Sequence, residues 1–544
     1  MAGDSVEERI RRLDGRGYKA YKSLEGAEYT TRGVWVRIVR VQGDPFATPS
    51  IIEARVRVEP QPRRGEELPL EDLLARRLSK LAPRYSLKDA GEGGSGRIVV
   101  PRLPPVIARR AMVVIEDGVA RIRLRAGLPA RRRRILGDEV ARLLLDKIPG
   151  LVAEAARLGG EARLWQETWR NQEHIRRWLR EARGVAFVAD GSILPRRCGG
   201  CWEPLEDAVP FESPSSLRRE VEVPHGDPIP GMLVPRGLTV IAGPAFHGKT
   251  TLVEALYEGV WNHIPGDGRE YVLTDRSAVY VESENGRWTS CVDLRPWIRS
   301  LPGGRDTGCF TTSDASGATS LFASIQEYLE AGATALLIDE DRTATNAIHR
   351  DRWVEEYTGK KTITTITEMA PALKKAGVSI VIVASGAMEL LAAADTIIVM
   401  DEYRARDASW YREKAREKAG TVEGLGYERP ARRRVRKPVR AEKPKLRGRI
   451  LEARGLRDRV NLEALRQLPS DNALYTAALL ALRVAGSQGA GLVEEAERLA
   501  SLASSAQWEQ LAGRAYPPEL EEARGLDIVA VASRLPGPGV WLAP

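Results

Sequence analysis

An α/β fold built on a doubly wound parallel sheet is predicted for the middle of this 544-residue chain, on two observations. Short apolar runs alternate with helical patterns. "GLTVIAG" precedes "KTTLVEALYEGV", "TALLID" closes a second helix–strand unit, and "VSIVIVAS" and "DTIIVM" follow. Strands separated by helices pair in parallel, because the crossover needs the length of a helix. The second observation is "GPAFHGKT", Gly243 to Thr250, which matches G-x-x-x-x-G-K-[ST] between an apolar strand and an amphipathic helix.

The flanking regions read differently. "VWVRIVRV" (34 to 41) and "IIEARVRV" (51 to 58) alternate apolar and polar residues, as half-buried strands do, with the turn-rich "GDPFATPS" between them. Residues 137 to 159 have helical spacing, and Pro149-Gly150 is expected to break that helix. The Pro-rich stretch from about 200 to 235 is a candidate boundary. Residues 431 to 449, "ARRRVRKPVRAEKPKLRGR", read as a basic linker, and "SDNALYTAALLALRVAG" and "AGLVEEAERLASLASSAQWEQLAGR" as helices after it. Three regions follow: an α+β N-terminal domain (1–185), a P-loop core (186–420), and a basic linker with a mostly helical C-terminal region (421–544).

Hydrophobic residues make up 43% and charged residues 29%, which excludes a disordered class. The net charge of +9 points to a polyanionic partner. The N-terminal "MAGDSVEERIRRLDGRG" has no apolar stretch, so no signal peptide is expected. The most apolar window, 378 to 400, contains Glu389 and Asp395 and divides into strand, helix and strand, so no membrane span is expected. A cytoplasmic location follows as the default. The four cysteines, Cys198, Cys201, Cys291 and Cys309, imply no disulfide framework. Cys198-Gly-Gly-Cys201 has no second ligand pair, which a zinc site would need; metal, a local disulfide and plain turn cysteines all stay open there.

The chemistry resides in three stretches. In Gly243, Pro244, Ala245, Phe246, His247 and Gly248, backbone N–H groups are expected to wrap a phosphate chain. Lys249 would reach the β and γ phosphates of ATP, Thr250 would offer its hydroxyl to Mg²⁺, and Thr251 continues the helix whose N-terminus favours an anion. "ALLIDE" carries two carboxylates to the C-terminal edge of its strand, where open α/β sheets bind ligands. Asp339 suits the Mg²⁺ shell and Glu340 the base that activates water, a contribution of roughly 10²–10⁴-fold. The third stretch, "ASGATS", is a small polar turn before a helix, with Ser316 lying 23 residues ahead of Asp339.

That register resembles ATPases of the ABC class, in which a Ser-Gly-Gly turn precedes the helix leading to the Walker B strand. The resemblance implies that Ser316 and Gly317 serve the nucleotide held by a partner subunit. "DRTATN" resembles the D-loop, with Asn346 where Asp is usual. "VASGAMELLAAADTIIVM" resembles the switch segment, with Ser385 where a His generally stands; His247 is the nearest alternative imidazole. Asp293 in "CVDLRPWI" is the positional candidate for the Q-loop residue. "YKSLEGAEY", "VQGDPFATPS", "GLPARRRRILG", "HGKTTLVEAL", "VWNHIPGDGRE" and "LIDEDRTATN" extend the resemblance to the soluble predicted ATPases of the ABC class, which lack transmembrane domains. One relative there belongs to mitochondrial RNA-editing machinery and binds RNA. The resemblance implies an ABC-type homodimer with an N-terminal accessory domain.

Two basic clusters add a nucleic-acid expectation. Arg131, Arg132, Arg133 and Arg134 are consecutive, and 431–449 holds ten basic residues against one acidic. Both would neutralise phosphates of RNA or single-stranded DNA. Aromatics at 6% argue for backbone-dominated contact rather than base stacking. The leading reading is an ATP hydrolase coupled to nucleic acid. A P-loop kinase or phosphotransferase, a transporter's ATPase subunit and an ATP-binding scaffold with little turnover are the alternatives.

Overall fold

The structure, a computed structural model, describes residues 6–299, 301, 303–349, 353–420, 425–537 and 541–542. The chain divides into two compact units, Met1–Trp169 with Leu502–Glu522, and Arg170–Ser501 with Ala523–Pro544.

The first unit is built on a six-stranded antiparallel sheet. Its strands are β1 (Glu28–Thr31), β2 (Val34–Arg40), β3 (Ser50–Arg57), β4 (Ile98–Val99), β5 (Val113–Glu116) and β6 (Val119–Ala126). They run in the order β1-β2-β3-β6-β4, with β5 also paired to β6. The period-2 pattern of β2 sends Val34, Val36 and Ile38 into the core. Helix α1 (Glu67–Tyr85) covers that face with Leu70, Leu74 and Leu78. The break expected at Pro149-Gly150 does not occur. An α-helical turn at Gly137–Ala141 passes into a π-helical segment, Arg142–Lys147, and then into Ile148–Ala155, with Pro149 in its first turn. The wider register just ahead of Pro149 accommodates a residue that lacks an N–H.

Residues 502–522 belong to this unit, so the C-terminal region is shared between both units. Arg123 explains part of this. It is buried, pairs with Glu53, donates to the carbonyls of Arg514 (2.9 Å) and Tyr516 (3.1 Å), and sits 3.4 Å from the centre of the Tyr516 ring. Arg110 likewise joins Asp72 to Glu521.

The second unit holds the doubly wound sheet. An antiparallel sheet of β7 (Gly184–Ala189), β8 (Arg218–Val221), β9 (Ile229–Pro235) and β11 (Val272–Thr274) has the order β8-β9-β7-β11. The main sheet comprises β10 (Leu238–Ala242), β12 (Ala278–Val281), β13 (Ala335–Asp339), β14 (Ser379–Val383), β15 (Thr396–Asp401) and β16 (Arg404–Asp407). Its order is β12-β13-β14-β10-β15-β16, parallel throughout except for the β15–β16 hairpin. β10, β13 and β14 are buried along their whole length, as continuous apolar runs in a parallel sheet are. Helices α2 (Lys249–Glu258), α3 (Gly317–Glu330), α4 (Ile366–Lys375) and α5 (Met388–Ala393) supply crossovers.

Two expectations are corrected here. The 431–449 run is not a free linker: Arg433 is buried and paired with Glu330 at 2.7 Å, and Glu442–Arg447 forms a hairpin with Ile450–Arg454. A buried acid on α3 draws in the guanidinium and fixes the chain around it. The cysteines are bonded in pairs, Cys198–Cys201 and Cys291–Cys309. A turn closed by the Cys201 N–H on the Cys198 carbonyl joins the first pair; antiparallel pairing of Thr289–Val292 with Phe310–Thr312 joins the second. Among the described residues no cluster of three or more His, Cys, Asp or Glu side chains is placed to hold a metal, and no helix is long and apolar enough to cross a membrane.

Candidate functional site

β10 delivers the chain to the phosphate loop and α2 carries it away. The loop needs its two terminal glycines. Gly243 has φ 139°, and a Cβ there would meet the Met400 carbonyl oxygen at 2.2 Å; Gly248 has φ 94°. Lys249 folds back over the loop and donates to the carbonyls of Gly243 (2.8 Å) and Pro244 (2.7 Å). Beside it, β13 and β14 end at the same level of the sheet. A cavity of about 640 Å³ opens there, with Gly243, Ala245, Phe246, Gly248, Lys249, Thr250, Thr251, Asp339, Glu340, Ser385 and Tyr403 in its walls.

The Thr250 hydroxyl donates to Asp339 at 3.1 Å, and the Asp341 N–H donates to the other Asp339 oxygen at 3.2 Å. Asp339 is buried, and that burial raises its carboxyl above the usual range against those two hydrogen bonds. A buried carboxylate beside a hydroxyl is an all-oxygen donor set that suits Mg²⁺, whose charge would offset the desolvation. Glu340 is held at both oxygens. One accepts from the Ser385 N–H (2.6 Å) and hydroxyl (2.9 Å), and the other lies 3.2 Å from His349 Nε2. Burial pushes its carboxyl up, and the Ser385 and His349 contacts outweigh that, leaving it below the usual glutamate range.

The other expected residues divide. Pro244 and His247 belong to the loop but not to the cavity wall; His247 Nδ1 accepts from the Glu402 N–H at 2.9 Å, so it anchors the β15–β16 turn. Ser316 caps α3, its hydroxyl accepting from the Thr319 N–H at 3.4 Å. Gly317 leaves room for Asn285, whose Oδ1 would lie 3.1 Å from an added Cβ. Asn346 sits in the short helix Thr345–Ile348 after Glu340. None of Ser316, Gly317 and Asn346 lines the cavity of their own chain. Asp293 does not line the cavity: it follows the strand Thr289–Val292 and pairs with Arg295. Sequence reasoning missed His349 and Tyr403. His349 is one of only five histidines and lies three residues after Asn346, which was the available signal.

The first unit carries the arginine cluster on a two-residue hairpin, Ala130–Arg131 paired with Arg134–Ile135. Arg132 (φ 51°) and Arg133 (φ 57°) are both left-handed, the backbone a two-residue turn demands and one that favours Asn-Gly. The Arg133 N–H donates to Glu92 and the Arg134 guanidinium to the Gly15 carbonyl. All four side chains are exposed, and Arg131, Arg132 and Arg133 have no ion pair among the described residues.

Comparison with known proteins shows the family of the chain. Residues 160–434 match the P-loop domain of the ABC-class ATPases, and residues 4–158 match the domain described as "ATPase of the ABC class N-terminal". The uncharacterized protein MJ1628 of Methanocaldococcus jannaschii is 28% identical over 259 residues, 45% of this chain and 56% of the relative, so the match spans just over half of that protein. Solved structures that the chain resembles include cbiO1 of Clostridium perfringens, part of the ABC transporter complex cbiONQ (14% identity, 43% of this chain and 92% of that one, TM-score 0.27). A bacterial Atm1-family ABC exporter with ATP bound is another (12% identity, 52% of each chain, TM-score 0.26). With both of its domains matched, the chain belongs to the family of ABC-class ATPases that pair this N-terminal domain with a P-loop domain.

Proposed function

We propose that the protein binds and hydrolyses ATP between two copies of itself and couples that cycle to nucleic acid, RNA in the first instance. The observation that carries the reading is the Thr250–Asp339 contact at 3.1 Å with Glu340 next in the chain, all beside the phosphate loop. Thr250 and Asp339 would hold Mg²⁺, which screens the phosphate charge. Lys249 leaves its loop carbonyls for the β and γ phosphates. Glu340, kept ionised by Ser385 and His349, takes the proton from the attacking water. Ser316 and Gly317, absent from their own cavity, are free to complete the site of a second copy. The exposed Arg131–Arg134 hairpin supports the nucleic-acid part, because unpaired guanidiniums in a strained turn suit phosphate contact.

A kinase reading would require neither Ser316 in its register nor a second copy. Glu340→Gln separates the two. With Mg-ATP the variant is expected to keep nucleotide affinity, lose turnover and accumulate as a dimer in sedimentation. A monomer with and without ATP, or undiminished turnover, counts against the proposal.

A further inference from the structure

Phosphate contact by the Arg131–Arg134 hairpin accounts for the backbone of a polynucleotide and leaves its bases without a partner. The surroundings of that hairpin supply one. A glycine-rich loop, residues 91–97 ("GEGGSGR"), runs alongside it. The Glu92 N–H donates to the Ala130 carbonyl at 2.8 Å, and the Glu92 carboxylate accepts from the Arg133 N–H at 2.8 Å. The next residue, Gly93, faces a different segment. Its φ is 62°, an added Cβ would collide with the Pro45 carbonyl, and Cδ1 of the Phe46 ring would lie 3.1 Å from it. The Gly94 N–H then donates to the same Pro45 carbonyl at 3.0 Å. One peptide unit therefore ties the arginine hairpin to the turn that carries Phe46. All three segments belong to the first unit.

Phe46 is 69% exposed, and it is the one exposed aromatic among the described residues of that unit. It forgoes the burial that makes aromatics core residues. Its turn is fixed from beneath, since the Asp44 carboxylate accepts from the N–H groups of Phe46 (2.8 Å) and Ala47 (3.1 Å). The acids of these loops are thus directed at backbone donors, Asp44 at its own turn and Glu92 at the hairpin. Neither forms an ion pair among the described residues, and the guanidiniums of Arg131, Arg132 and Arg133 stay open beside them. A flat apolar ring next to unpaired guanidiniums matches a polymer in which bases alternate with phosphates. A duplex keeps its base faces inside the stack, so only a single strand can offer one to the ring.

We infer that Phe46 is a stacking platform for an unpaired base of single-stranded RNA, whose flanking phosphates are held by Arg131, Arg132 and Arg133. The inference rests on the nucleic-acid reading above and adds the residue that selects single strands. The low aromatic content still makes phosphate contact the larger part of binding. One ring at the phosphate-binding hairpin adds a preference for open bases without sequence choice, because every base has a π-face.

Fluorescence anisotropy at low salt tests this on the full chain with three labelled probes of equal length. They are oligo(U), an RNA duplex, and an oligomer with tetrahydrofuran spacers in place of the nucleosides, which keeps the phosphates and lacks the bases. Phe46→Ala is expected to weaken oligo(U) by about tenfold while leaving the duplex and the base-free oligomer within about twofold, and Phe46→Tyr to bind all three as wild type does. A variant with Arg131, Arg132 and Arg133 replaced by Ala is expected to weaken all three probes. Unchanged oligo(U) affinity in Phe46→Ala overturns the inference. So does an equal loss on all three probes, which would mean that the ring only shapes the hairpin. If oligo(U) binding falls in the arginine variant alone, the nucleic-acid reading stands and the platform is rejected; if the wild type binds none of the probes, the reading itself falls and the platform with it.

Discussion

Ser385→Ala isolates what holds the proposed base. In the structure Glu340 has three contacts: the Ser385 N–H, the Ser385 hydroxyl at 2.9 Å and His349 at 3.2 Å. The substitution removes only the hydroxyl. A hydrogen bond to a charged group is worth about 1.5–3 kcal/mol when buried. Ser385 is exposed, and water replaces part of the loss, so about 1 kcal/mol is expected here. The sign follows from the direction of the shift. These contacts lower the Glu340 carboxyl, so losing one raises it and moves the acid limb of the ATP turnover profile to higher pH. On that limb the rate should fall about fivefold, since ~1.4 kcal/mol is tenfold, while the plateau near neutrality stays unchanged. Steady-state ATP turnover across acidic to neutral pH reads both. His349→Gln should move the limb the same way, and the double variant should exceed either. A uniform loss at all pH values, or an acid limb that does not move, would refute the account of Glu340 as a base kept ionised by these neighbours.

Other expectations follow from the same structure. Ser316→Arg should leave ATP affinity near wild type and abolish turnover and nucleotide-driven dimerisation, because Ser316 does not line its own cavity; an affinity loss as deep as that of Lys249→Ala, measured by nucleotide titration, would remove the trans assignment. If five phosphates of single-stranded RNA are engaged, log affinity should fall against log salt with a slope of roughly −3.5, and replacing Arg131 to Arg134 by Ala should flatten it; an unaltered slope in fluorescence anisotropy titrations would move the contact elsewhere. Arg433→Met strips the partner from buried Glu330 and should cost about 3–5 kcal/mol in thermal unfolding, with Glu330→Leu added in the same chain restoring most of it. Glu284 is partly buried between Arg534 and Arg287; burial raises its carboxyl and the two guanidiniums bring it below the ordinary range. Its share of stability is full above the ordinary glutamate range and lost as pH falls through the depressed value, so unfolding midpoints of wild type and Glu284→Gln should converge only in strong acid.

Much of the core was legible because its signals are local. The strand before Gly243 and the run ending at Asp339 are short apolar segments bounded by turns, and a parallel sheet buries such segments on both faces. Thr250 lies in the first turn of α2, and Asp339, Glu340 and Ser385 lie at or just beyond strand ends whose order is constrained by the crossover rules, so their convergence could be anticipated. What escaped depended on contacts distant in sequence. Nothing near Arg433 announces that Glu330 waits on a helix a hundred positions earlier, so a charge run read as a basic linker turned out anchored. Tyr403 was invisible for a different reason: a Glu-Tyr pair carries no turn signal, and its left-handed backbone is imposed by the hairpin and by His247. Pro149 failed as a helix breaker because the π-helical turn before it absorbs the missing donor, a local solution with no clear sequence signature.

The chain visits the first unit twice, at its beginning and again at residues 502–522. A ribosome therefore releases the N-terminal sheet long before the segment that caps it has been made. Until then Arg123 faces neither the Arg514 and Tyr516 carbonyls nor the Tyr516 ring, and Arg110 lacks Glu521. Cooperative closure of that unit has to wait for nearly the whole polypeptide. A fragment ending at Trp169 should be cut by protease far faster than the same residues in the full chain, and supplying residues 502–522 as a peptide should slow the cutting. The maturation of the N-terminal unit is thus timed by translation of the C-terminal one, and a message truncated late leaves both the sheet and its orphaned guanidiniums open to quality control.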